Sequence, residues 1–189
     1  MVFVKSFSQP PVDREQILRY ALSRQPDDAT NALLEQCLAD ALPQLSYRVC
    51  WRDYPLSVSG QRCDFGDFQL TSRTLAKHLN GCGRAVVFAA TVGVGMDRLI
   101  GKYAHISPAR GLLMQAVGAE RIEALCDGFC MEVGNARPRF SPGYGDLKLS
   151  AQQVIFEQLD CARHIGLTLN DSLVMSPSKS VTAIVGLTD

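Results

Sequence analysis

The run Arg84-Ala-Val-Val-Phe-Ala-Ala-Thr91 limits the possible folds more than any other segment. Its hydrophobicity is continuous rather than alternating. As a strand it is apolar on both faces, so it belongs inside a sheet with a covering layer on each side. The chain has the material for those layers: of 189 residues, 47% are hydrophobic, enough for a sizeable core and outside the range of disordered chains. The formal net charge is zero, which gives no sign of the basic footprint of a nucleic-acid binder. No apolar run reaches the roughly 20 residues of a membrane span. The N-terminus, Met1-Val-Phe-Val-Lys-Ser6, lacks the charged and apolar regions of a signal peptide. The sequence therefore reads as a cytoplasmic protein with neither nucleic acid nor membrane as partner. It reads as one domain over residues 1–189, with residues 1–12 an extended arm that ends at Pro10-Pro11.

The remaining elements follow from periodicity and punctuation. Asp13 caps a helix to about Ser23, and a second helix starts near Asp28 with Leu33, Leu34, Cys37, Leu38 and Leu42 as its apolar stripe. Residues 46–58 and 62–70 read as strands, the second irregular. Ser72 caps a short helix to Leu79, and Asn80-Gly-Cys-Gly83 is a turn. A helix from about Gly95 to Ala104 follows the apolar strand. Ser107-Pro108 opens the longest helix, with Leu112, Ala116, Ala119, Ile122, Cys126, Phe129 and Val133 on one face and Gly134-Asn135 at its end. Ser150 caps a further helix that stops at Gly166. Alternation over Leu167, Leu169, Leu173 and Met175, then Val181, Ala183, Val185 and Leu187, predicts a two-strand hairpin with one buried face. The fold class is α+β, mixed helices around a mainly antiparallel sheet.

Chemistry is sparse along most of the chain. The seven cysteines are odd in number and scattered, with no CxxC, so they form no disulfide framework. Cys126 and Cys130 lie one helical turn apart; with no His or second Cys pair nearby they read as small buried residues rather than metal ligands. The GxG of Thr91-Val-Gly93-Val-Gly95-Met-Asp-Arg98 departs from the dinucleotide fingerprint at Arg98, and a helix rather than an acid-tipped strand follows. Its glycines fit a tight strand-to-helix turn. His78, His105 and His164 fall near helix ends, where the helix dipole favours them. No GxSxG, HExxH or P-loop pattern occurs.

Arg139-Phe-Ser-Pro-Gly-Tyr-Gly-Asp-Leu147 is different. One reading is a rigid Pro-Gly turn with Tyr144 packed and Arg139 solvated. The other uses each residue. Arg139 clamps a carboxylate, Gly143 admits main chain close to a ligand, backbone around Ser141 bonds the edge of a ring, and Tyr144 offers a face to a ring or an onium cation. S-adenosylmethionine combines those groups: a carboxylate, an adenine and a sulfonium.

The segment Arg139-Phe-Ser-Pro-Gly-Tyr144 resembles the Arg-x-x-Pro-Gly-Tyr signature of the activation domain of cobalamin-dependent methionine synthase. The resemblance continues through Ile155-Phe-Glu-Gln-Leu-Asp160, His164-Ile-Gly-Leu-Thr-Leu169 and Ser172-Leu-Val-Met175-x-Pro177-x-x-Ser180-Val181, over roughly the last third of the chain. Upstream, Phe88-Ala-Ala-Thr-Val-Gly93 and Glu123-Ala-Leu125 look like stand-alone members of that family.

The resemblance implies a stand-alone domain with the activation-domain fold. It would bind S-adenosylmethionine and support reductive methylation of the cobalamin carried by a separate methionine synthase, with a flavodoxin-like electron donor. By the same resemblance Arg139 binds the methionine carboxylate, Tyr144 lies beside the ligand, Ser141 and Gly143 supply backbone contacts, and Glu123 pairs with the ligand ammonium. The family's domain continues past the position matched by Asp189 and supplies further contacts, a tyrosine among them, so weak or partner-dependent affinity is expected. The cobalamin, homocysteine and folate modules have no counterpart in this sequence, so the chain would act in trans as an accessory component with no catalytic residue of its own. Two alternatives stay open: a module that docks a corrinoid protein without using S-adenosylmethionine, and an activator of another corrinoid methyltransferase.

Overall fold

A computed structural model describes residues 1–23 and 25–188. The elements in chain order are β1 (Phe3–Phe7), α1 (Arg14–Tyr20), α2 (Asp28–Ala41), β2 (Tyr47–Pro55), β3 (Ser57–Ser59), β4 (Arg62–Asp64), β5 (Gln69–Thr71), α3 (Arg73–Leu79), β6 (Arg84–Thr91), α4 (Val94–Ile106), α5 (Pro108–Val133), α6 (Ala151–Leu159), α7 (Cys161–Ile165), β7 (Thr168–Leu169), β8 (Met175–Ser176) and β9 (Ser180–Leu187). This is the α+β class, and every strand pairing in it is antiparallel.

The main sheet has the order β1-β2-β6-β9. The apolar run is β6, an interior strand whose residues divide between two cores. Val86, Phe88 and Ala90 face α1, α2, α4 and α5. Ala85, Val87 and Ala89 face α3, α6, α7 and the small β3-β4-β5 sheet. Continuous hydrophobicity thus reports burial on both faces, while each face keeps the two-residue period of a strand. The N-terminal arm is less free than its sequence suggests, because residues 3–7 pair with β2 from Phe3↔Trp51 to Phe7↔Tyr47.

Asp13, Asp27 and Ser72 accept hydrogen bonds from Gln16, Thr30 and Leu75 backbone N–H groups, the capping that starts α1, α2 and α3. Ser107 and Ser150 occupy the cap positions of α5 and α6 without a side-chain cap bond; Pro108 leaves α5 one fewer orphan N–H to satisfy. The single buried stripe expected on α5 is replaced by a wider face. Leu112 is exposed, while Gly111, Leu113, Met114 and Val117 are buried, because α5 packs against the sheet and three helices.

Two expectations near the C-terminus are corrected. The helix from Ser150 to Gly166 is two helices, α6 and α7, divided at Asp160 in the left-handed conformation (φ 43°). The hairpin predicted for residues 167–187 does not form. Residues 168–169 and 175–176 pair in a small sheet of their own, and β9 pairs instead with β6, from Arg84↔Leu187 to Thr91↔Ser180. Alternation marked Val181, Ala183, Val185 and Leu187 as one face correctly, but Ile184 between them is buried in the opposite core. Alternation alone does not name a strand's partner.

The outer edge of β9 is covered by residues 135–140. Arg137 N–H donates to Gly186 O at 2.9 Å, and Phe140 and Ile184 exchange two backbone hydrogen bonds of 2.9 Å each. This strand-like strap satisfies an otherwise open edge. It also carries Arg139 to the flank of α5.

Candidate functional site

A cavity of about 810 Å³ opens where the strap, the 141–147 loop and the C-terminal half of α5 meet. Glu123, Arg139, Ser141 and Tyr144 line it. Four of the five residues singled out in the sequence are therefore brought together, from segments separated by a helix end and a turn. Gly143 does not line this cavity. Its φ of 91° falls in the region that favours glycine, and its N–H donates to Leu147 O at 2.9 Å. Gly143 shapes the loop.

Arg139 is held by two carboxylates. One terminal nitrogen donates to Glu123 Oε2 and the other to Asp127 Oδ1. Glu123 and Asp127 stand four residues apart on α5, where two like charges repel; the guanidinium between them relieves that repulsion. Burial works against the charge of Arg139, but the hydrogen bond to Asp127 and the surrounding acids outweigh it and raise its pKa above the ordinary arginine value. The arginine is a permanent cation with its fork already engaged. Tyr144 is 59% exposed and meets Phe140 edge-on, ring centroids 6.1 Å apart. One face of Tyr144 thus remains open to solvent and the cavity.

Asp127, Cys130 and Arg137 also line the cavity and were not identified as site residues from the sequence. Asp127 is the acid one turn after Glu123 on the same helix face, but only the returning strap sets Arg139 beside it. Cys130 is the one cysteine of the seven that is not fully buried. Burial raises its thiol pKa, with Arg139 acting in the opposite direction. Its neighbour Cys126 is buried, and its thiol is pushed further up by the same cause. Among the described residues no group of three or more His, Cys, Asp or Glu side chains is placed to hold a metal ion. Among the same described residues no helix is long and apolar enough to cross a membrane.

Asp146 fixes the far end of the loop. Its carboxylate accepts from Ser72 Oγ (2.6 Å), Arg73 N–H (2.9 Å), Thr74 N–H (3.0 Å) and Thr74 Oγ1. Those donors, Ser72 first, hold its pKa well below the usual carboxylate range. A carboxyl whose folded pKa is depressed adds stability above its unfolded pKa of about 4, and that stability is lost as pH falls toward the folded value. The stability difference between wild type and Asp146→Asn should therefore be full at neutral pH and shrink below about pH 4, as read by urea midpoints across pH. Gly145 lies so close to α3 that a Cβ there would sit 2.3 Å from Thr74 Oγ1, at a φ of 55°.

The other motifs stay outside this site. A Cβ on Gly93 would meet Ser46 Oγ at 2.3 Å, and one on Gly95 would meet Gln44 O at 2.2 Å. The GxG turn is packed against its own chain and offers no phosphate cradle. His78, His105 and His164 fall in the last turns of α3, α4 and α7.

The fold and site together define an α+β domain with an ionic cavity at the strapped edge of an antiparallel sheet. Neither a protein-family model nor a curated protein matches the chain. Among solved structures it is similar to the MetH reactivation domain crystallised with AdoHcy bound, with a TM-score of 0.74 and 15% identity, over 98% of this chain and 78% of that one. The chain shares the fold of that domain.

Proposed function

We propose that the cavity binds S-adenosylmethionine and that the protein serves the reactivation of a separate cobalamin-dependent methionine synthase. The observation that carries this reading is the convergence of Glu123, Arg139, Ser141 and Tyr144 on one cavity, in the fold of a domain crystallised with AdoHcy. Arg139 takes the ligand carboxylate and Glu123 its ammonium. Tyr144 presents its open face to the adenosyl or sulfonium group. Ser141 contributes backbone, and Gly143 keeps that backbone in place. S-adenosylmethionine supplies an activated methyl group, and the cobalamin of the partner synthase, reduced by a flavodoxin-like donor, accepts it. No general base is needed on this chain, whose part is to bind and orient.

Cys130 provides the readout. In the native protein one thiol of seven should react with a small alkylating reagent, slowly at neutral pH because its pKa is raised. Saturating S-adenosylmethionine should slow that reaction at least about tenfold, since the ligand occupies the cavity that the thiol faces. Calorimetry on the same samples should give a dissociation constant in the micromolar range or weaker. No heat and no protection, with or without a methionine synthase present, would sink the reading.

One observation favours a second reading. The fork of Arg139 is already engaged by Glu123 and Asp127, as suits a module that docks a corrinoid protein without using the ligand. Partner binding that S-adenosylmethionine leaves unchanged would support it. Activation of a different corrinoid methyltransferase would show as capture of that enzyme in place of methionine synthase.

A further inference from the structure

Helix α3 touches the cavity-bearing segment at both of its own ends, with charges of opposite sign. At its N-terminus, Asp146 receives the backbone N–H groups of Arg73 and Thr74 and the hydroxyls of Ser72 and Thr74. At its C-terminus, Arg137 donates to His78 O and Asn80 O, each at 2.7 Å. An anion at the N-terminal end and a cation at the C-terminal end both match the helix polarity. Between them His78 Nε2 lies 2.6 Å from Pro138 O, which assigns its proton to that nitrogen, and the His78 ring sits 5.3 Å from that of Phe140. The opposite side of α3 is fixed in the second core through Leu75, Ala76 and Leu79.

Within itself the 141–147 loop makes few bonds. Its internal bonds are Gly143 N–H to Leu147 O, Tyr144 N–H to Ser141 O and Leu147 N–H to Tyr144 O, Pro142 and Leu147 are its buried anchors, and Asp146 N–H also donates to Thr74 Oγ1 at 3.2 Å. Ser141, Gly143, Tyr144 and Asp146 themselves are not buried. Ordering such a loop costs roughly 1–2 kcal/mol per residue in backbone entropy. Without an external tie, that cost would fall on ligand binding.

We propose that Asp146 and Arg137 are positioning residues that clip the 137–146 segment to the two ends of α3, so that Arg139, Ser141 and Tyr144 are in place before the ligand arrives. The inference rests on the S-adenosylmethionine reading. It assigns to α3 and the β3-β4-β5 sheet beneath it the role of a splint for the cavity, although no residue of either lines it.

The test is a series at Asp146 on the full chain. Asp146→Ala removes every acceptor, and Asp146→Asn keeps one oxygen. If the loop is then in place about a tenth of the time, apparent affinity falls about tenfold for alanine; a loss of roughly threefold is expected for asparagine. Hydrogen exchange supplies a readout that does not need the ligand. The amides of Gly143, Tyr144 and Leu147 should lose protection in Asp146→Ala, while those of β6 and β9 keep theirs. Asp97→Ala is the control. It breaks a comparable tie, to Ser178 N–H (2.9 Å) and Ser178 Oγ, outside the cavity lining, and should leave affinity and loop protection unchanged. Unchanged loop exchange and affinity in Asp146→Ala, or an equal affinity loss in Asp97→Ala, would overturn the splint while the ligand reading stands. Failure of the wild type to bind S-adenosylmethionine would overturn both.

Discussion

Arg139→Ala is expected to lower the affinity for S-adenosylmethionine by about 100-fold. A bidentate guanidinium–carboxylate contact consists of two charge-assisted hydrogen bonds worth about 1.5–3 kcal/mol each, so the gross interaction exceeds what a loss of about 100-fold represents. The net is smaller because Arg139 begins engaged with Glu123 and Asp127. The ligand carboxylate must draw the fork away from at least one acid, and the ligand ammonium then replaces the arginine beside it. The exchange of partners offsets part of the gain, and about 2.7 kcal/mol, or 100-fold, remains. Arg139→Lys separates charge from geometry: it keeps the cation, loses the fork, and should sit about tenfold below wild type. Folding is a weak confounder. The side chains of Glu123 and Asp127 are 41% and 68% exposed, and such pairs contribute roughly 0–1 kcal/mol. Calorimetry on wild type, lysine and alanine proteins, with melting curves beside it, checks the prediction. An alanine variant that binds as tightly as wild type would remove Arg139 from the site.

The same ion pairs show how much of the site was legible in the sequence. Arg139, Ser141 and Tyr144 lie within six residues, so their chemistry could be read as a group, and Glu123 came in through the family resemblance. Asp127 did not, because nothing local says that the residue one turn after Glu123 will face an arginine twelve residues downstream. That contact depends on residues 135–140 returning along the edge of β9. Gly143 was read for ligand approach, whereas its positive φ and its bond to Leu147 give it a role in the loop. A glycine in a sequence signals unusual backbone; it does not say whether the loop or a ligand requires it.

In the fold, local signals held where local physics decides. Asp13 and Ser72 cap helices, Gly134 and Gly166 end them, and the apolar run is an interior strand. The failures are long-range. Residues 180–187 carry the alternation of a hairpin strand, but their partner is β6, from Arg84↔Leu187 to Thr91↔Ser180, far earlier in the chain. Asp160 splits the 150–166 helix although it is not a glycine; an aspartate tolerates the left-handed region better than most residues, yet its composition alone does not announce the break.

The largest stability effect is expected at Arg121. Its side chain is fully buried on α5 and its partner Glu120 is 3% exposed. The guanidinium donates to Pro10 O (2.7 Å) and Pro11 O (2.6 Å) and to both oxygens of Glu120, while Glu120 accepts from Asp13 N–H at 3.1 Å. This pair ties the end of the N-terminal arm and the start of α1 to the longest helix. Two prolines in sequence offer carbonyl acceptors but no N–H donors, so their carbonyls rely on an outside donor, and Arg121 supplies it. Arg121→Met fills much of the volume but leaves the buried Glu120 carboxylate without its cation and two part-buried carbonyls without their donor. Breaking one side of a buried pair costs about 3–5 kcal/mol, a large fraction of the 5–15 kcal/mol that holds a typical domain folded. The double variant Glu120→Leu/Arg121→Met removes both charges and should recover part of that loss. It will not recover all of it, because the Pro10, Pro11 and Asp13 backbone groups still lose their partners. Urea unfolding should therefore rank wild type above the double variant and the double variant above Arg121→Met. If Arg121→Met unfolds within about 1 kcal/mol of wild type, the pair contributes little to stability, and the arm is held instead by the pairing of β1 with β2 and by the packing of Phe3 on Trp51.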